Sequence, residues 1–321
     1  MASEETKRLM LFSGRSNPAL GREIAEHLGI QLGKVEVASF SNGEIYVRYL
    51  ESVRGADVFV VQTLSEPVND NLIELLIMVD ALKRASAHRI FAVVPHYGYA
   101  RQDKKAAARE PITAKLVADL LTTAGINRMI TVDLHAGQIQ GFFNVPVDHL
   151  MGLPLLAGYF KEKNLKDLVI VSPDVGRVKM AKRYADKLGA SLAILHKTRP
   201  AHNVAEITHV IGEVKGHSCL MIDDMVDTAG TLTTGAQALI DHGAKEVYAC
   251  ATHAVLSGPA VERIKNSVIK ELVTTNTIPV PEHKMIPKFK VLSISGLLAR
   301  AIRNVYEDRS VSALFDGQNQ P

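Results

Sequence analysis

Apolar runs alternate with amphipathic stretches along nearly all of this 321-residue chain. In the first half, strands are predicted at 9–13, 34–40, 44–50, 57–63, 89–96 and 128–134. Helical patterns lie between them. "NPALGREIAEHLG" opens with Asn17 at a cap position, has Pro18 at the first helical position, and closes on Gly29. A second helix places Leu72, Leu75, Leu76, Val79 and Leu82 on one face, and a third places Ile112, Leu116, Leu120 and Leu121 there, ending on Gly125.

The second half repeats the plan. Strands are predicted at 168–174, 191–197, 218–224, 246–255 and 269–275, and helices near 155–164, 177–188, 231–243, 259–266 and 296–307. Runs such as "IFAVV" and "LVIV" are apolar on both faces, as a parallel sheet covered by helices on both sides requires. The predicted class is α/β, with two doubly wound parallel-sheet domains. The break falls near "VPVDHLMGLP" (145–154). This divides the chain into an N-terminal domain, 1–149, and a C-terminal domain, 150–321, whose last helix has the option of packing back on the first. "ITVDLHAGQ" (130–138) and "LMIDDMVDTAG" (220–230) both run from an apolar strand through an acid to Ala-Gly, which raises internal duplication without deciding it.

Composition narrows the function. The formal charge is +3, with 47% hydrophobic and 22% charged residues and no basic block. That is globular composition and disfavours a nucleic-acid platform. The two cysteines, Cys219 and Cys250, sit inside apolar runs and form no paired motif, which suits buried thiols in a reducing, cytoplasmic setting. No apolar run approaches the roughly 18 residues of a membrane span, and "MASEETKRLMLFSG" does not read as a signal peptide.

The densest candidate chemistry is "MIDDMVDTAGT" (221–231), where an apolar strand runs into Asp223, Asp224 and Asp227 and then Thr228, Ala229, Gly230 and Thr231. Ligands of open α/β sheets bind beyond the carboxyl ends of strands. Backbone N–H groups at a helix start favour an anion, and the two threonine hydroxyls add donors. Carboxylates are acceptors only, so they suit sugar hydroxyls or the water shell of magnesium. A pentose 5-phosphate satisfies both ends. The bland alternative is a capped turn with solvated acids. No Walker A, GxGxxG, nucleophile-elbow or HExxH pattern is present.

This stretch resembles the phosphoribosyl pyrophosphate signature shared by type I phosphoribosyltransferases and ribose-phosphate pyrophosphokinases. "FSNGEIYVRYLESVRG" (40–55), "PHYGYARQDKK" (95–105), "EPITAK" (110–115), "VDLHAGQIQGFF" (132–143) and "KTRPAHN" (197–203) resemble the pyrophosphokinases, most closely the bacterial class I type, over about residues 8–316. The resemblance implies domains of phosphoribosyltransferase type. It also implies transfer of pyrophosphate from ATP to ribose 5-phosphate for nucleotide biosynthesis, and a magnesium cofactor held at His135 and Asp174. Lys197 and Arg199 become catalytic cations, Arg199 also meeting the sugar phosphate. Asp223, Asp224, Asp227, Thr228, Ala229, Gly230 and Thr231 bind ribose 5-phosphate. Phe40, Asn42, Gly43, Glu44, Arg101, Gln102 and Asp103 bind ATP, the first four in a neighbouring subunit's site. Ser52, Arg54, Ser86, Ser310 and Ser312 form a regulatory anion site for phosphate and ADP. The implied assembly is a homohexamer, with no nucleic-acid or membrane partner.

Two departures accompany the resemblance. Arg177 stands in "SPDVGR" where relatives often carry a second glycine, and "AAA" (106–108) stands where some relatives place an acid near adenine. Two other readings remain. A phosphoribosyltransferase needs one α/β unit and a nucleobase hood, which "RQDKK" and "VDLHAGQ" argue against. A non-catalytic associated subunit of the same fold departs at the catalytic loop, and the intact "KTRP" argues against it.

Overall fold

The computed structural model describes residues 8–198 and 207–315. The chain forms two compact units. One runs to Met151 and resumes at Ser293; the other is Gly152–Leu292.

The first unit contains β1 (Leu9–Ser13), α1 (Pro18–Leu28), β2 (Val35–Ser39), β3 (Ile45–Tyr49), β4 (Asp57–Val61), α2 (Val68–Arg84), β5 (Arg89–Val94), α3 (Thr113–Ala124), β6 (Arg128–Val132) and β7 (Val147–Leu150). Its main sheet is parallel, in the order β1-β4-β5-β6-β7, while β2 and β3 pair antiparallel as a separate hairpin. Strand alternation sends Phe12, Val58, Val60, Ala92 and Val94 into one core with Leu75, Met78 and Leu82 of α2 and Val117, Ala118 and Leu121 of α3. Leu11, Phe59, Val61 and Val93 are equally buried on the opposite face. The start of α1 forms as its sequence predicts: the Asn17 side chain accepts from the Leu20 N–H at 3.3 Å. Its end is Gly29 at φ 70°, a left-handed position that favours glycine.

The second unit contains α4 (Leu153–Lys163), β8 (Leu168–Ser172), α5 (Val178–Leu188), β9 (Ser191–Thr198), β10 (Ile207–Ile211), β11 (Ser218–Val226), α6 (Gly230–Asp241), β12 (Glu246–Ala254), α7 (Ala260–Lys265), β13 (Ile269–Thr275) and β14 (Phe289–Leu292). Its sheet order is β10-β9-β8-β11-β12-β13-β14, and β10 is the antiparallel strand. Val169, Val171, Cys219, Met221 and Ala249 meet α6 and α7 on one face. Ile170, Leu220, Ile222 and Cys250 meet α4 and α5 on the other. Helices on both faces explain the continuous apolar runs, and both cysteines are buried core residues.

The two units share an order of elements: a strand, a helix, an antiparallel pair, then four parallel strands stepping away from the first. β1, β4, β5, β6 and β7 correspond to β8, β11, β12, β13 and β14. This supports the repeat, but not the string likeness that suggested it. "ITVDLHAGQ" ends β6, whereas "LMIDDMVDTAG" ends β11, whose counterpart is β4.

Three further expectations change. The helix α8 (Ser295–Tyr306) lies in the first unit, where it packs against α1 and Arg303 donates to the Leu28 carbonyl at 2.9 Å. The C-terminal unit therefore ends at Leu292 and does not run to the end of the chain. The α3 face is also different: Ala114, Val117, Ala118 and Leu121 are buried, while Ile112, Leu116 and Leu120 are 37%, 56% and 39% exposed. The buried side is built mostly of small residues, packed toward α2 and the 137–142 segment, and the larger leucines are left outside. Finally, β7, β10 and β14 escaped the pattern reading, being short strands at or next to sheet edges with mixed polar sequence.

Leu298 is fully buried in α8. Leu298→Ala is expected to lower the stability of the first unit by roughly 2–5 kcal/mol in urea unfolding followed by circular dichroism. A helix attached only as a loose tail would leave the midpoint unmoved.

Candidate active site

The chain leaves β8 toward β9 on one side and returns to β11 on the other, so the ends of β8 and β11 flank a topological switch point, where open α/β sheets bind ligands. Beyond β8, the Ser172 hydroxyl donates to the Asp174 carbonyl at 2.6 Å, and the Asp174 carboxylate accepts from the Arg177 N–H at 3.1 Å. This tight turn aims Arg177 across the crevice. Its Nη2 donates to Asp224 Oδ1 at 2.7 Å, and its Nε lies 3.4 Å from Asp223 Oδ1.

β11 is long enough to carry the acids past the end of β8. The Asp224 side chain is 3% exposed and that of Asp223 26%. The Asp224 backbone N–H donates to Asp223 Oδ1 at 2.8 Å, which holds the Asp223 carboxylate against the chain at Asp224. Burial, and next the charge of Asp224, push the Asp223 carboxyl well above the ordinary carboxylate range, and Arg177 only partly offsets this.

After β11 the backbone turns into α6. The Asp227 carbonyl accepts from the Ser257 N–H at 3.1 Å, and the Thr228 carbonyl from Arg263 Nη1 at 3.0 Å. A trans peptide points its N–H opposite to its C=O, so the N–H groups of Thr228 and Ala229 face away from those partners. Ala229 has φ 59°, an uncommon conformation for a residue with a side chain, which bends the turn toward the start of α6. A Cβ on Gly230 would lie 3.3 Å from Arg263 Nη1. The α6 start bears no side-chain cap among the described residues. The result is an amide-rich turn at a helix N-terminus, beside two acids bridged by a guanidinium. It can take an anion at one end and hydroxyls at the other.

The corresponding crevice of the first unit is filled by its own side chains. Glu74, buried, accepts from both the backbone N–H and the Nε of Arg15 at 2.6 Å. Gln62 Oε1 accepts from the Ser16 hydroxyl at 2.6 Å. Chemistry-bearing residues of this unit lie elsewhere. The β2–β3 turn holds Phe40 57% exposed; Asn42 Oδ1 accepts from the Glu44 N–H at 3.2 Å, and Gly43 has φ 91°. Beyond β5, the Gln102 carbonyl accepts from the Ala114 N–H at 3.2 Å, while Asp103 is buried and accepts from Gln138 Nε2 at 2.7 Å. That bond ties the Arg101–Asp103 segment to the segment carrying His135. Where the "AAA" departure falls, Glu110 Oε2 accepts from the N–H groups of Ala106 and Ala107 at 2.7 and 2.8 Å.

Of the regulatory candidates, Ser86 at φ 61° accepts through its carbonyl from the Gly55 N–H at 3.0 Å, which draws the Arg54 turn to Ser86. Arg8 donates to the Ser52 carbonyl at 2.5 Å, and the Ser310 carbonyl accepts from Asn304 at 2.9 Å. Ser312 opens the last helical turn. His135 and Asp174 belong to different units. Lys197 is near the end of β9, paired in register with Thr208. Its side chain, and Arg199 entirely, lie outside the described residues.

Comparisons with known proteins identify the family. Residues 9–125 match the model of the N-terminal domain of ribose phosphate pyrophosphokinase, and residues 198–316 match that of the phosphoribosyl synthetase-associated domain. The ribose-phosphate pyrophosphokinase of Caldanaerobacter subterraneus subsp. tengcongensis is 61% identical, over 97% of this chain and 98% of its own. The chain belongs to the ribose-phosphate pyrophosphokinase family. The Bacillus subtilis member is 59% identical over 96% of this chain and 98% of its own. The crystal structure of phosphoribosylpyrophosphate synthetase from Mycobacterium smegmatis superposes with a TM-score of 0.90 at 50% identity, covering 94% of this chain and all of that one.

Arg177, Arg263, Gln138 and Glu110 were not among the residues that sequence reasoning assigned to sites. Arg177 had a signal, its place in a glycine position. Gln138 and Arg263 had none, because each acts on a segment 35 residues away; Glu110 acts within its own loop, and no residue pattern there announced the contact.

A carboxyl whose folded pKa is raised holds a proton that the unfolded chain has released, so stability falls as pH rises from the ordinary carboxylate range through the raised value. Asp223→Asn keeps the acceptor for the Asp224 N–H and removes the buried charge. Its melting temperature should exceed wild type at pH 8 and converge with it near pH 4. A constant difference across that range would contradict the assignment.

Proposed function

We propose that this chain transfers the pyrophosphoryl group of ATP to the anomeric hydroxyl of ribose 5-phosphate. The observation that carries the reading is the switch-point crevice of the second unit. There, an amide-rich helix start and an acid pair lie together in a chain that belongs to the pyrophosphokinase family.

Asp227 to Thr231 hold the 5-phosphate, and Asp223 and Asp224 accept from the ribose hydroxyls. The anomeric hydroxyl attacks the β-phosphorus and gives up its proton to solvent, the bond from that phosphorus to the α–β bridging oxygen breaks, and AMP leaves. The products are phosphoribosyl pyrophosphate and AMP. Lys197 and Arg199 spread the charge on the transferring group, since phosphoryl transfer depends chiefly on positioning and electrostatics. Phe40, Asn42, Gly43 and Glu44, with Arg101, Gln102 and Asp103, bind ATP.

Magnesium is the cofactor that the family resemblance implies, and the Asp174 carboxylate is the donor type it prefers. Among the described residues no three or more His, Cys, Asp or Glu converge on one point. Magnesium is satisfied by one or two carboxylates, with waters and phosphate oxygens completing its shell. Asp174 and His135 are the residues to hold it, and when bound it neutralises the polyphosphate charge.

The exposed stripe of Ile112 at the start of α3 and Leu116 and Leu120 on its successive turns supports assembly, in keeping with a homohexamer. Ser52, Arg54, Ser86, Ser310 and Ser312 are the candidate site for phosphate and ADP as effectors. No helix among the described residues is long and apolar enough to cross a membrane, which accords with a cytoplasmic enzyme.

Incubation with ATP, magnesium and ribose 5-phosphate should produce AMP and phosphoribosyl pyrophosphate, followed by phosphorus NMR, and no AMP should form without the sugar. Pyrophosphate release that requires a nucleobase would instead indicate a phosphoribosyltransferase. A folded chain that forms no AMP would match the associated-subunit reading. Lys197→Ala or Arg199→Ala should each lower kcat by about 10²–10³-fold. Leu116→Glu should lower the oligomer mass in light scattering while circular dichroism stays unchanged; an unaltered mass would remove α3 from the interface.

A further inference from the structure

We infer that Arg177 is a built-in counter-ion of the sugar site, which ribose 5-phosphate must displace from the acid pair in order to bind. The inference rests on the proposed sugar role of Asp223 and Asp224 and concerns a residue that the proposed reaction does not use.

The geometry is specific. Arg177 lies on the β8 side of the crevice and the acids on the β11 side, so its side chain spans the space between the two strand ends. It is 19% exposed, and it meets one oxygen of each carboxylate at 2.7 and 3.4 Å. Its backbone is held by the Asp174 cap, which leaves the side chain as the part able to move. Two adjacent carboxylates, one of them almost wholly buried, need a positive partner, and a planar guanidinium can bridge both. The lone pairs it occupies are those that a sugar hydroxyl would use. Sugar binding therefore has to break or share charge-assisted bonds that a glycine at this position would never make.

The released guanidinium has a second destination. A pyrophosphate group at the anomeric carbon brings anionic oxygens to the acid-pair end of the ligand, and arginine binds such oxygens through two parallel bonds. Ribose 5-phosphate carries no phosphate there. Arg177 thus opposes the substrate and favours the pyrophosphorylated product, which sets the preference of the site between them.

The test is calorimetric titration of ribose 5-phosphate, and separately of phosphoribosyl pyrophosphate, into wild type, Arg177→Gln and Arg177→Gly, each with magnesium and without ATP. Gln removes the charge but keeps the side chain, while Gly removes both. Both variants should bind ribose 5-phosphate roughly tenfold tighter, the factor for a latched form holding about nine-tenths of the free enzyme. The preference for phosphoribosyl pyrophosphate over ribose 5-phosphate should narrow in both. Unchanged or weaker ribose 5-phosphate binding in Arg177→Gln overturns the inference, as does tightening confined to Arg177→Gly, which would trace the effect to the backbone. Wild type that forms AMP as proposed while a variant fails these expectations leaves the functional reading standing. Wild type that binds no ribose 5-phosphate overturns both.

Discussion

Two carboxylates on consecutive residues, one almost fully buried, create an electrostatic problem that the surrounding elements are arranged to meet. Asp223 and Asp224 stand at the end of a strand covered by helices on both faces, where solvent screens little. The Asp224 N–H and the Arg177 guanidinium supply the compensation from opposite sides of the crevice. Neither removes the cost entirely, and the Asp223 carboxyl remains reluctant to ionise. A site that retains such a cost is suited to a ligand rich in hydroxyl donors, which can satisfy the acids without bringing further negative charge to them.

Topology makes this arrangement possible. In both units a strand, a helix and an antiparallel pair precede four parallel strands, yet the outcome differs. In the second unit β9 joins the sheet beside β8, which opens a crevice between the ends of β8 and β11. In the first unit the hairpin stays apart from the main sheet, and Glu74 and Gln62 occupy the turn after β1. One order of elements thus yields an open crevice in one unit and a filled one in the other. The polar side chains reaching the turn make the difference.

The departures from the usual family pattern have local physical explanations. Glu110 folds back onto the amides of Ala106 and Ala107, so the alanine run is an ordered turn closed by its own carboxylate. Arg177 replaces conformational freedom with charge, and its turn is correspondingly stabilised by the Asp174 cap. Both are changes in how the loops are held, made without altering the sheets that carry them.

The sequence by itself determined the class of fold, most strands and helices, and the gathering of acids and threonines in "DDMVDTAGT" at a strand end. Each of these follows from local periodicity or from residue types that are close in the chain. The buried face of α3 differs from the pattern because alanines contribute little to an apolar periodicity although they pack well against neighbouring elements. The edge strands β7 and β14 were missed because half-exposed strands carry weak patterns. The return of α8 to the first unit, the pairing of Arg177 with the acids and the grip of Arg263 on the turn before α6 were decided only by tertiary structure. Each joins residues tens to hundreds of positions apart, and such contacts exist only once the sheets have set the order of their strands.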